Sequence, residues 1–401
     1  MSFDLSCPVP ILVLGDGCDL PTGLARIGRD LCRQLSAMPE FRVAHLGRRT
    51  LGRAQYPWMQ YSFGAQDQWG ENQIQNVWSD WSRGKFGVIL TVWDASRLTW
   101  FGNPTGIDGE LGTFLRSRNQ FEKWGYFMQD GSGVDPTRLP LKDAYTMAGY
   151  DRVLLASKWG FELAKNSLVQ HPDLDWLPHG IDRSVFKPVD RLYARSAWNA
   201  FGFKQNDKIV GCCMANLERK HWPVVFEAIA HLNNMTTTGV KLWAHTDRLR
   251  RYWDLEALVT EYGIGDRVIL DEREYSDAEM AMRYSGCDCT VVVSGGEGFC
   301  YPVAESLSCG VPVVSGAYGA QRELLNPRTG KVGPQSTQVQ TMHNIRRATY
   351  DALEICEMLR WNLTEPPDDQ EQRVEHLDWP VLGVQWKKWF KRGLVHERPV
   401  G

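Results

Sequence analysis

Residues 294–305 read SGGEGFCYPVAE, and this stretch decides the fold. The apolar run at 290–293 before it predicts a buried strand. Proline is favoured in the first turn of a helix, so Pro302 predicts a helix that begins beside it. The segment therefore predicts a strand, a glycine-rich turn and a helix. Backbone N–H groups in such a turn and at a helix N-terminus form a natural anion site.

Two acidic residues frame this turn. Glu297 lies in the loop, and Glu305 lies about one turn into the helix, with seven residues between them. Ionised carboxylates only accept hydrogen bonds, so these two can receive two sets of hydroxyls from one extended ligand. A sugar nucleotide, with hexose, diphosphate and ribose in a row, has this layout. The alternative is a strand–turn–helix that carries two surface acids.

The rest of the chain repeats the same rhythm. Short β-branched runs alternate with longer amphipathic stretches, which is typical of βαβ units and parallel sheets in an α/β fold. Strands are predicted at 11–14, 42–46, 88–92, 125–128, 152–156, 175–177, 209–214, 241–245, 268–270, 290–293 and 312–314. Helices are predicted at 24–35, 224–232, 277–284, 303–309 and 379–394. Residues 50–82 and 93–122 fit neither pattern and are predicted to be rich in loops.

Two breaks divide this series into domains. The first is Phe186-Lys187-Pro188, and the second is the polar, proline-containing run at 365–369. We expect an N-terminal Rossmann-like domain at 1–187, a similar domain at 188–376 and a terminal helix within 377–401. Ligands bind at the carboxyl ends of parallel strands. Two such domains facing each other across a central cleft can therefore hold two substrates.

Composition excludes several classes of protein. The 401 residues carry a formal net charge of -3, with 43% hydrophobic and 23% charged residues, which excludes a disordered chain and gives no bulk attraction to nucleic acid. The sequence contains no apolar run long enough to span a membrane and no secretory signal pattern. The ten cysteines are scattered without zinc spacing. Buried reduced thiols in a cytoplasmic protein, without a metal site, are the expectation.

The segment from Glu297 onward, EGFCYPVAESLSCGVPVV, resembles the E-x7-E motif of retaining GT-B glycosyltransferases, in particular family 4. The family pattern is roughly EGFGLPxxEAMACGxPVV. Other segments resemble the family in the same order, and the resemblance covers most of the chain. They are PTGLARIGR at 21–29, GYFMQDG at 125–131, ASKWG at 156–160, LPHGID at 177–182, YSGCD at 284–288 and LDW at 377–379.

The resemblance implies the roles of the site residues. Glu297 would hold hydroxyls of the donor hexose, Glu305 the ribose, and Arg219 and Lys220 the diphosphate. Asp130, at the end of an N-domain strand, would contact a donor or acceptor hydroxyl. The remaining substrate-binding residues are the loop residues Thr22 and Gly23 and the backbone of Gly298, Phe299, Cys300 and Tyr301.

The resemblance also implies that the donor is a nucleotide-diphosphate sugar and that the chemistry needs neither a cofactor nor a metal. An oxocarbenium-like centre develops while the diphosphate leaves, and the leaving phosphate itself can take the acceptor proton. The family usually has Gly at position 300 and Leu at position 301, so we expect the larger Cys300 and Tyr301 to alter which hexose fits.

Several alternatives stay open on the sequence. Arg commonly stands in the family where this chain has Asn216, so the phosphate-binding position is either Arg219 or Asn216. Asp130 fits an Asx turn before Gly131 equally well. For His179 we favour packing over catalysis. A GT-B epimerase or phosphorylase, and a sugar-nucleotide-binding protein without catalysis, are the alternative functions.

The acceptor is predicted to be a hydroxyl compound. A saccharide, a lipid-linked sugar and a modified base in DNA are the candidates, and the sequence indicates no obligate protein partner. Seven tryptophans crowd residues 58–124, where rings such as Trp78 and Trp81 would suit stacking on the acceptor. The basic aromatic run QWKKWFKR at 385–392 could touch a membrane surface. We prefer a docking helix whose Trp386, Trp389 and Phe390 face the first domain.

Overall fold

The structure is a computed structural model, which describes residues 3–52, 54–64, 66–199, 201–235, 239–340 and 343–395. The chain forms two compact units. The first unit contains Met1–Gly180, Thr341–Ile345 and Leu382–Gly401, and the second contains Ile181–Gln340 and Arg346–Val381.

The boundaries of these units differ slightly from those expected at residues 187 and 376. The segment after Gly180 belongs to the second unit because Ile181 and Phe186 are buried in that unit's core. The Ile181 N–H also donates to the Leu377 carbonyl at 2.8 Å, which ties this segment to the end of the same unit.

The first unit is built on a seven-stranded sheet of order β3-β2-β1-β4-β5-β6-β7, in which every neighbouring pair is parallel. Its strands are β1 (Val9–Asp16), β2 (Phe41–Arg48), β3 (Met59–Phe63), β4 (Gly87–Val92), β5 (Phe121–Phe127), β6 (Arg152–Leu155) and β7 (Leu174–Trp176). Its helices are α1 (Gly23–Ser36), α2 (Ile74–Ser82), α3 (Thr99–Gly102), α4 (Gly109–Arg116), α5 (Leu141–Met147) and α6 (Lys158–Ser167), with a 3-10 turn at Ala95–Arg97. All residues of β1 and β4 are buried, because both faces of a parallel sheet are covered.

The second unit contains a six-stranded sheet of order β10-β9-β8-β11-β12-β13 and a two-stranded sheet of β14 and β15. The strands are β8 (Lys208–Cys213), β9 (Val240–His245), β10 (Val268–Asp271), β11 (Cys289–Val292), β12 (Val313–Gly316), β13 (Lys331–Val332), β14 (Ser336–Gln340) and β15 (Ile345–Thr349). The helices are α7 (Arg191–Asn199), α8 (Trp222–Met235), α9 (Leu255–Glu261), α10 (Asp277–Gly286), α11 (Tyr301–Ser308) and α12 (Ala352–Thr364), with 3-10 turns at Glu218–Lys220, Ala320–Glu323 and Gln372–Leu377. The last helix, α13 (Trp379–Leu394), begins in the second unit, and its residues from Leu382 onward belong to the first.

The two large sheets share one topology, as expected for two Rossmann-like domains. In each, the chain starts at an inner strand, moves outward to one edge, and then returns to the other side of the first strand. The order therefore reverses between β1 and β4 in the first unit and between β8 and β11 in the second. The carboxyl ends of strands at such a switch point are where open α/β sheets bind ligands.

Every strand and helix predicted from the sequence overlaps an element of the structure, but the two segments predicted to be rich in loops are partly regular. The segment at 50–82 contains β3 and α2, and the segment at 93–122 contains α3 and α4. The prediction failed at β3 because this edge strand is partly exposed and lacks an apolar face, as Met59 at 52% exposure illustrates.

The terminal helix α13 packs on the first unit. Trp386, Trp389 and Phe390 are buried there, and the Trp386 ring lies 4.8 Å from that of Tyr126. The Trp389 ring lies 5.4 Å from that of Trp124. The aromatic face of the helix is thus occupied by the protein itself. In the described parts of the chain, no helix has both the length and the apolar character that crossing a membrane requires.

Candidate active site

The decisive stretch of sequence lies at the switch point of the second sheet. It follows β11, while Arg219 and Lys220 follow β8, and a backbone hydrogen bond joins the two loops. The Gly295 N–H donates to the Arg219 carbonyl at 2.6 Å, and the Gly295 carbonyl accepts from the Ala348 N–H at 2.9 Å. A Cβ at position 295 would lie 2.9 Å from the Ala348 oxygen, so only glycine allows this approach.

Glu297 is the centre of this cluster. Lys220 Nζ donates to Glu297 Oε1, and Arg219 Nη1 reaches the same oxygen at 3.2 Å. Burial by itself would raise the pKa of Glu297, but the charges of Lys220 and Arg219 outweigh it and lower the pKa to about 2. The carboxylate is therefore ionised and holds both cations at one point.

The loop after β12 fixes the backbone of Glu297. The Glu297 carbonyl accepts from the Ala320 N–H at 2.9 Å. Gly319 has φ +88° and lies so close that a Cβ there would meet the Glu297 carbonyl oxygen at 2.9 Å. Both the conformation and the contact demand glycine at position 319.

Helix α11 begins directly after this loop. Cys300 caps it with φ +82°, a left-handed conformation that is unusual for any residue but glycine. This explains in physical terms why the family pattern has glycine at position 300. The Cys300 thiol is buried, and burial raises its pKa, so it is held as a neutral thiol. Gly298 and Phe299 complete the turn, and Tyr301 is the first residue of the helix. The first N–H groups of the helix have no partner within the helix and lie at this turn.

Glu305 is buried inside the unit rather than presented on its surface. The Tyr284 hydroxyl, from α10, donates to Glu305 Oε2 at 3.1 Å. Tyr284 itself is fully buried, and burial raises the pKa of its hydroxyl, which is therefore a permanent donor. The sequence placed Glu305 on a helix in this segment but did not identify Tyr284 as its partner.

Asn216 does not belong to the cation cluster. Its side chain is fully buried, and Nδ2 donates to the carbonyls of Arg248 at 2.9 Å and Trp253 at 2.8 Å. Its Oδ1 accepts from the Trp253 N–H at 2.9 Å. Asn216 thus ties the loop after β9 in place, and the cations beside Glu297 are Arg219 and Lys220.

The first sheet has its own polar group at its switch point. Thr22 caps α1 by accepting from the Ala25 N–H at 3.1 Å, and Gly23 is the first residue of that helix. The Thr22 hydroxyl donates to Asp16 Oδ2 at 3.3 Å, and Trp93 Nε1 donates to Asp16 Oδ1 at 3.0 Å. Sequence reasoning missed Asp16, although an acid at the end of a strand was a signal for it.

Asp130 follows β5 and lies half-buried at the carboxyl end of the same sheet. Its neighbour Gln129 donates through Nε2 to Asp143 Oδ2 at 3.1 Å and also to the Gly131 carbonyl. Burial raises the pKa of Asp143 to about 7, and the charges of Asp130 and Asp94 act in the same direction. Asp143 was not predicted from the sequence.

His179 is a packing residue, as preferred from the sequence. It is buried, its Nδ1 lies 2.6 Å from the Tyr126 hydroxyl, and burial lowers its pKa to about 3. It is therefore neutral at physiological pH.

The proposed stacking role of Trp78 and Trp81 is wrong. Trp78 is fully buried, with its ring 5.5 Å from that of Phe121, and Trp81 is buried against the guanidinium of Arg42 at 4.2 Å. Trp58, Trp93 and Trp124 are buried as well. These tryptophans belong to the hydrophobic core of the first unit, whereas Trp69 and Trp100 are partly exposed.

No group of three or more metal-binding side chains that could hold an ion occurs within the described ranges. The candidate donor residues Glu297, Arg219, Lys220 and Glu305 all belong to the second unit, and Thr22, Gly23 and Asp130 belong to the first.

Comparison with known proteins gives three findings. Residues 196–358 match the family model described as Glycosyl transferases group 1, which supports the sequence resemblance over most of the second unit. The MMP alpha-(1->4)-mannosyltransferase of Mycolicibacterium hassiacum is 24% identical over 159 residues, an alignment that spans 40% of this chain but only 35% of that relative.

The fold is that of solved GT-B glycosyltransferases. Sucrose-phosphate synthase from Thermosynechococcus elongatus aligns over 97% of this chain and 100% of its own, with a TM-score of 0.73 and 17% identity. HepE from Anabaena, solved in complex with UDP and glucose, aligns over 96% of this chain and 99% of its own, with a TM-score of 0.68 and 14% identity.

Proposed function

We propose that this chain is a metal-independent, retaining glycosyltransferase of the family 4 type, which moves a hexose from a nucleotide-diphosphate sugar to a hydroxyl acceptor. One observation carries the proposal: Arg219 and Lys220 converge on Glu297 at the switch point of the second sheet, directly before the N-terminus of α11. Two cations and a helix N-terminus suit a diphosphate, and a carboxylate among them suits sugar hydroxyls.

The donor would lie along the second unit. Arg219 offers a fork of N–H groups to a phosphate, and Lys220 offers a point charge. A bound diphosphate would share these cations with Glu297, whose oxygens then accept hydrogen bonds from hexose hydroxyls. Glu305, oriented by the Tyr284 hydroxyl, would accept from the ribose.

The reaction breaks the bond between the anomeric carbon and the diphosphate oxygen and forms a bond from that carbon to the acceptor oxygen. Negative charge develops on the leaving diphosphate, and Arg219, Lys220 and the amides at the start of α11 would stabilise it electrostatically. The acceptor proton passes to the leaving phosphate. Asp130, in the first unit, would accept a hydrogen bond from a donor or acceptor hydroxyl.

The comparisons support sugar transfer from a nucleotide-sugar donor as the type of reaction. The mannosyltransferase and the two solved structures named above carry names of sugar-transferring proteins or of complexes with UDP and glucose.

The test is a thermal-shift panel of UDP-, GDP- and ADP-sugars, because a ligand that binds only the folded state raises Tm by mass action. We expect one nucleotide series to raise Tm, with and without EDTA. The nucleotide sugar that binds is then used in a transfer assay, and the anomeric configuration of the product is read by NMR.

The proposal is overturned if no nucleotide sugar binds, or if EDTA abolishes turnover. Binding without hydrolysis or transfer would instead indicate the non-catalytic sugar-nucleotide-binding protein. A product of inverted configuration would keep the glycosyltransferase but remove the retaining mechanism.

A further inference from the structure

A second cluster of cations lies at the switch point of the first sheet. Trp69 packs its ring edge-on against Trp93, with centroids 5.5 Å apart, and Trp93 donates to Asp16 at the end of β1. Arg48 ends β2 beside Asp16 in the strand register, and Arg97 closes the 3-10 turn after β4. These residues therefore stand at the carboxyl ends of three neighbouring strands, where this topology binds ligands.

Two guanidinium groups meet on the Trp69 ring. Arg48 Cζ lies 4.7 Å from the ring centroid and Arg97 Cζ lies 5.0 Å from it. Both distances are within the range of cation–π attraction, so one indole attracts two guanidinium groups. Burial lowers the pKa of Arg48, and the nearby charges of Arg49 and Arg97 also act to lower it, against the attraction of Asp16.

The negative charges nearby are largely engaged. Asp94 pairs with Arg97 at 3.0 Å. Asp16 accepts from Trp93 through one oxygen and from Thr22 through the other. Among the described residues, no carboxylate hydrogen-bonds to the Arg48 guanidinium, which keeps partial exposure. Arg97 is compensated by Asp94, whereas Arg48 forms no ion pair with the residues that the structure describes, so the Arg48 guanidinium is the group best placed to receive an anionic ligand.

We propose that this Arg48–Trp69–Arg97 cluster binds a phosphate on the acceptor, and that the acceptor is a small phosphorylated sugar or polyol. The inference rests on the proposed function, since it names the acceptor class of that reaction. Guanidinium forks match phosphate oxygens in geometry and charge. The net charge of -3 disfavours a long polyanion such as DNA, whose binding depends on many cations.

The acceptor phosphate serves only for binding, and none of its bonds forms or breaks in the reaction. A hydroxyl oxygen elsewhere on the acceptor forms the bond to the anomeric carbon, the nucleoside diphosphate leaves, and the hydroxyl proton goes to the leaving phosphate. The cluster would hold the acceptor by its charge, which contributes to acceptor binding more than to the chemical step.

The experiment is calorimetric titration of the full chain with glucose 6-phosphate, fructose 6-phosphate and inositol 1-phosphate, each beside its unphosphorylated counterpart. We expect at least one phosphorylated compound to bind at least tenfold more tightly than its counterpart. The affinity should fall with added NaCl, because salt screens partly exposed charges. R48Q and R97Q should each weaken this binding about tenfold and leave nucleotide binding unchanged, while R48K keeps part of it.

Arg138→Gln is the matched control. Like Arg97, Arg138 belongs to the first unit and forms an ion pair with an aspartate three residues away, at 3.5 Å. Unlike Arg97, it is 59% exposed and lies outside the Arg48–Trp69–Arg97 cluster. Its loss should change nothing. Melting curves of each variant verify that it is folded.

The inference fails if no phosphorylated compound binds while a nucleotide sugar does, and the proposed function then stands alone. It also fails if unphosphorylated glycans or hydroxymethylated DNA serve as acceptors with KM values that R48Q and R97Q leave unchanged. Absence of nucleotide-sugar binding would instead overturn the proposed function. The two failures are distinguishable, because the titrations with sugar phosphates do not measure donor binding.

Discussion

The ammonium group of Lys220 and the carboxylate of Glu297 form an ion pair in which both residues are buried, and which joins the loops after β8 and β11. A buried pair of this kind is weak evidence for net stability, because desolvation opposes the attraction. Breaking it from one side is costly, however, because the other charge then stays buried without a partner. The pair thus links the stability of the second unit to its proposed donor site.

Glu297→Gln tests the role of the negative charge of Glu297, because glutamine has nearly the same shape but is neutral. The variant leaves Lys220 and Arg219 without their shared carboxylate, so we expect a loss of about 3 kcal/mol in the free energy of unfolding and at least a 100-fold lower kcat. Urea unfolding and a transfer assay measure the two effects. Glu357→Gln is the control, because Glu357 forms only an exposed pair with Arg360. Wild-type activity in Glu297→Gln would contradict the site.

The same pair predicts how stability depends on pH. The pKa of Glu297 is lowered from 4.5 to about 2 in the folded state. A carboxyl group whose pKa is lower in the folded state stabilises the fold at pH values above its pKa in the unfolded state. This contribution is lost as the pH falls from about 4.5 towards 2. Glu297→Gln should therefore show a weaker loss of Tm over that range than wild type does. Parallel curves would contradict the assigned ionisation.

Arg219 should act on the leaving diphosphate. Arg219→Gln is expected to raise the KM for the nucleotide sugar and to lower kcat by about 100-fold, since the developing charge loses a donor. Steady-state kinetics with varied donor concentration separates the two effects. Arg360→Gln, on the exposed face of α12, should match wild type. An unchanged donor KM together with an unchanged kcat would remove Arg219 from the site.

Tyr284→Phe tests the orientation of Glu305. The variant removes only the hydroxyl that donates to Glu305 at 3.1 Å. One hydrogen bond is worth about 1 kcal/mol, so the donor KM should rise about fivefold while kcat stays near wild type. A 2′-deoxyribose donor should lose this sensitivity if Glu305 binds the ribose. The exposed Tyr193→Phe provides the comparison, and equal effects on both donors would count against the ribose role.

Asp143 should make the first unit less stable at high pH. Its pKa is raised from 3.8 to about 7, so between these values the folded state holds a proton that the unfolded state has lost. Stability therefore falls as pH rises from about 4 to 7. Asp143→Asn keeps an acceptor for Gln129 and should have a higher Tm than wild type at pH 8. Asp135→Asn, at an exposed pair, should not.

Trp78 should be structural. Trp78→Ala opens a cavity in the first unit and should cost about 3–5 kcal/mol of unfolding free energy. The exposed Trp361→Ala, at 52% exposure, should change the free energy by less than about 0.5 kcal/mol. Chemical denaturation compares the two. A folded Trp78→Ala protein with normal stability and a raised acceptor KM would restore the stacking hypothesis.

The repeating α/β architecture, the two domains and the segment around Glu297 could all be predicted from the amino-acid sequence. Local signals carry these features: apolar runs such as those of β1 and β11, glycine-rich turns after strands, and Pro302 at a helix start. The same signals located α13 at its observed bounds, since its apolar residues repeat with the helical period.

Which side chains contact one another depends on the folded path of the chain and could not be predicted from local signals. Whether Asn216 or Arg219 faces Glu297 depends on the path of the loop after β8, and the Asn216 amide proved to be used by the loop after β9. The Tyr284–Glu305 bond, the Gln129–Asp143 bond and the Arg48–Trp69–Arg97 cluster each join residues from different elements. Composition could count the tryptophans, but only packing separated the buried Trp78 from the half-exposed Trp69, because burial is a property of the folded neighbourhood rather than of the residue type.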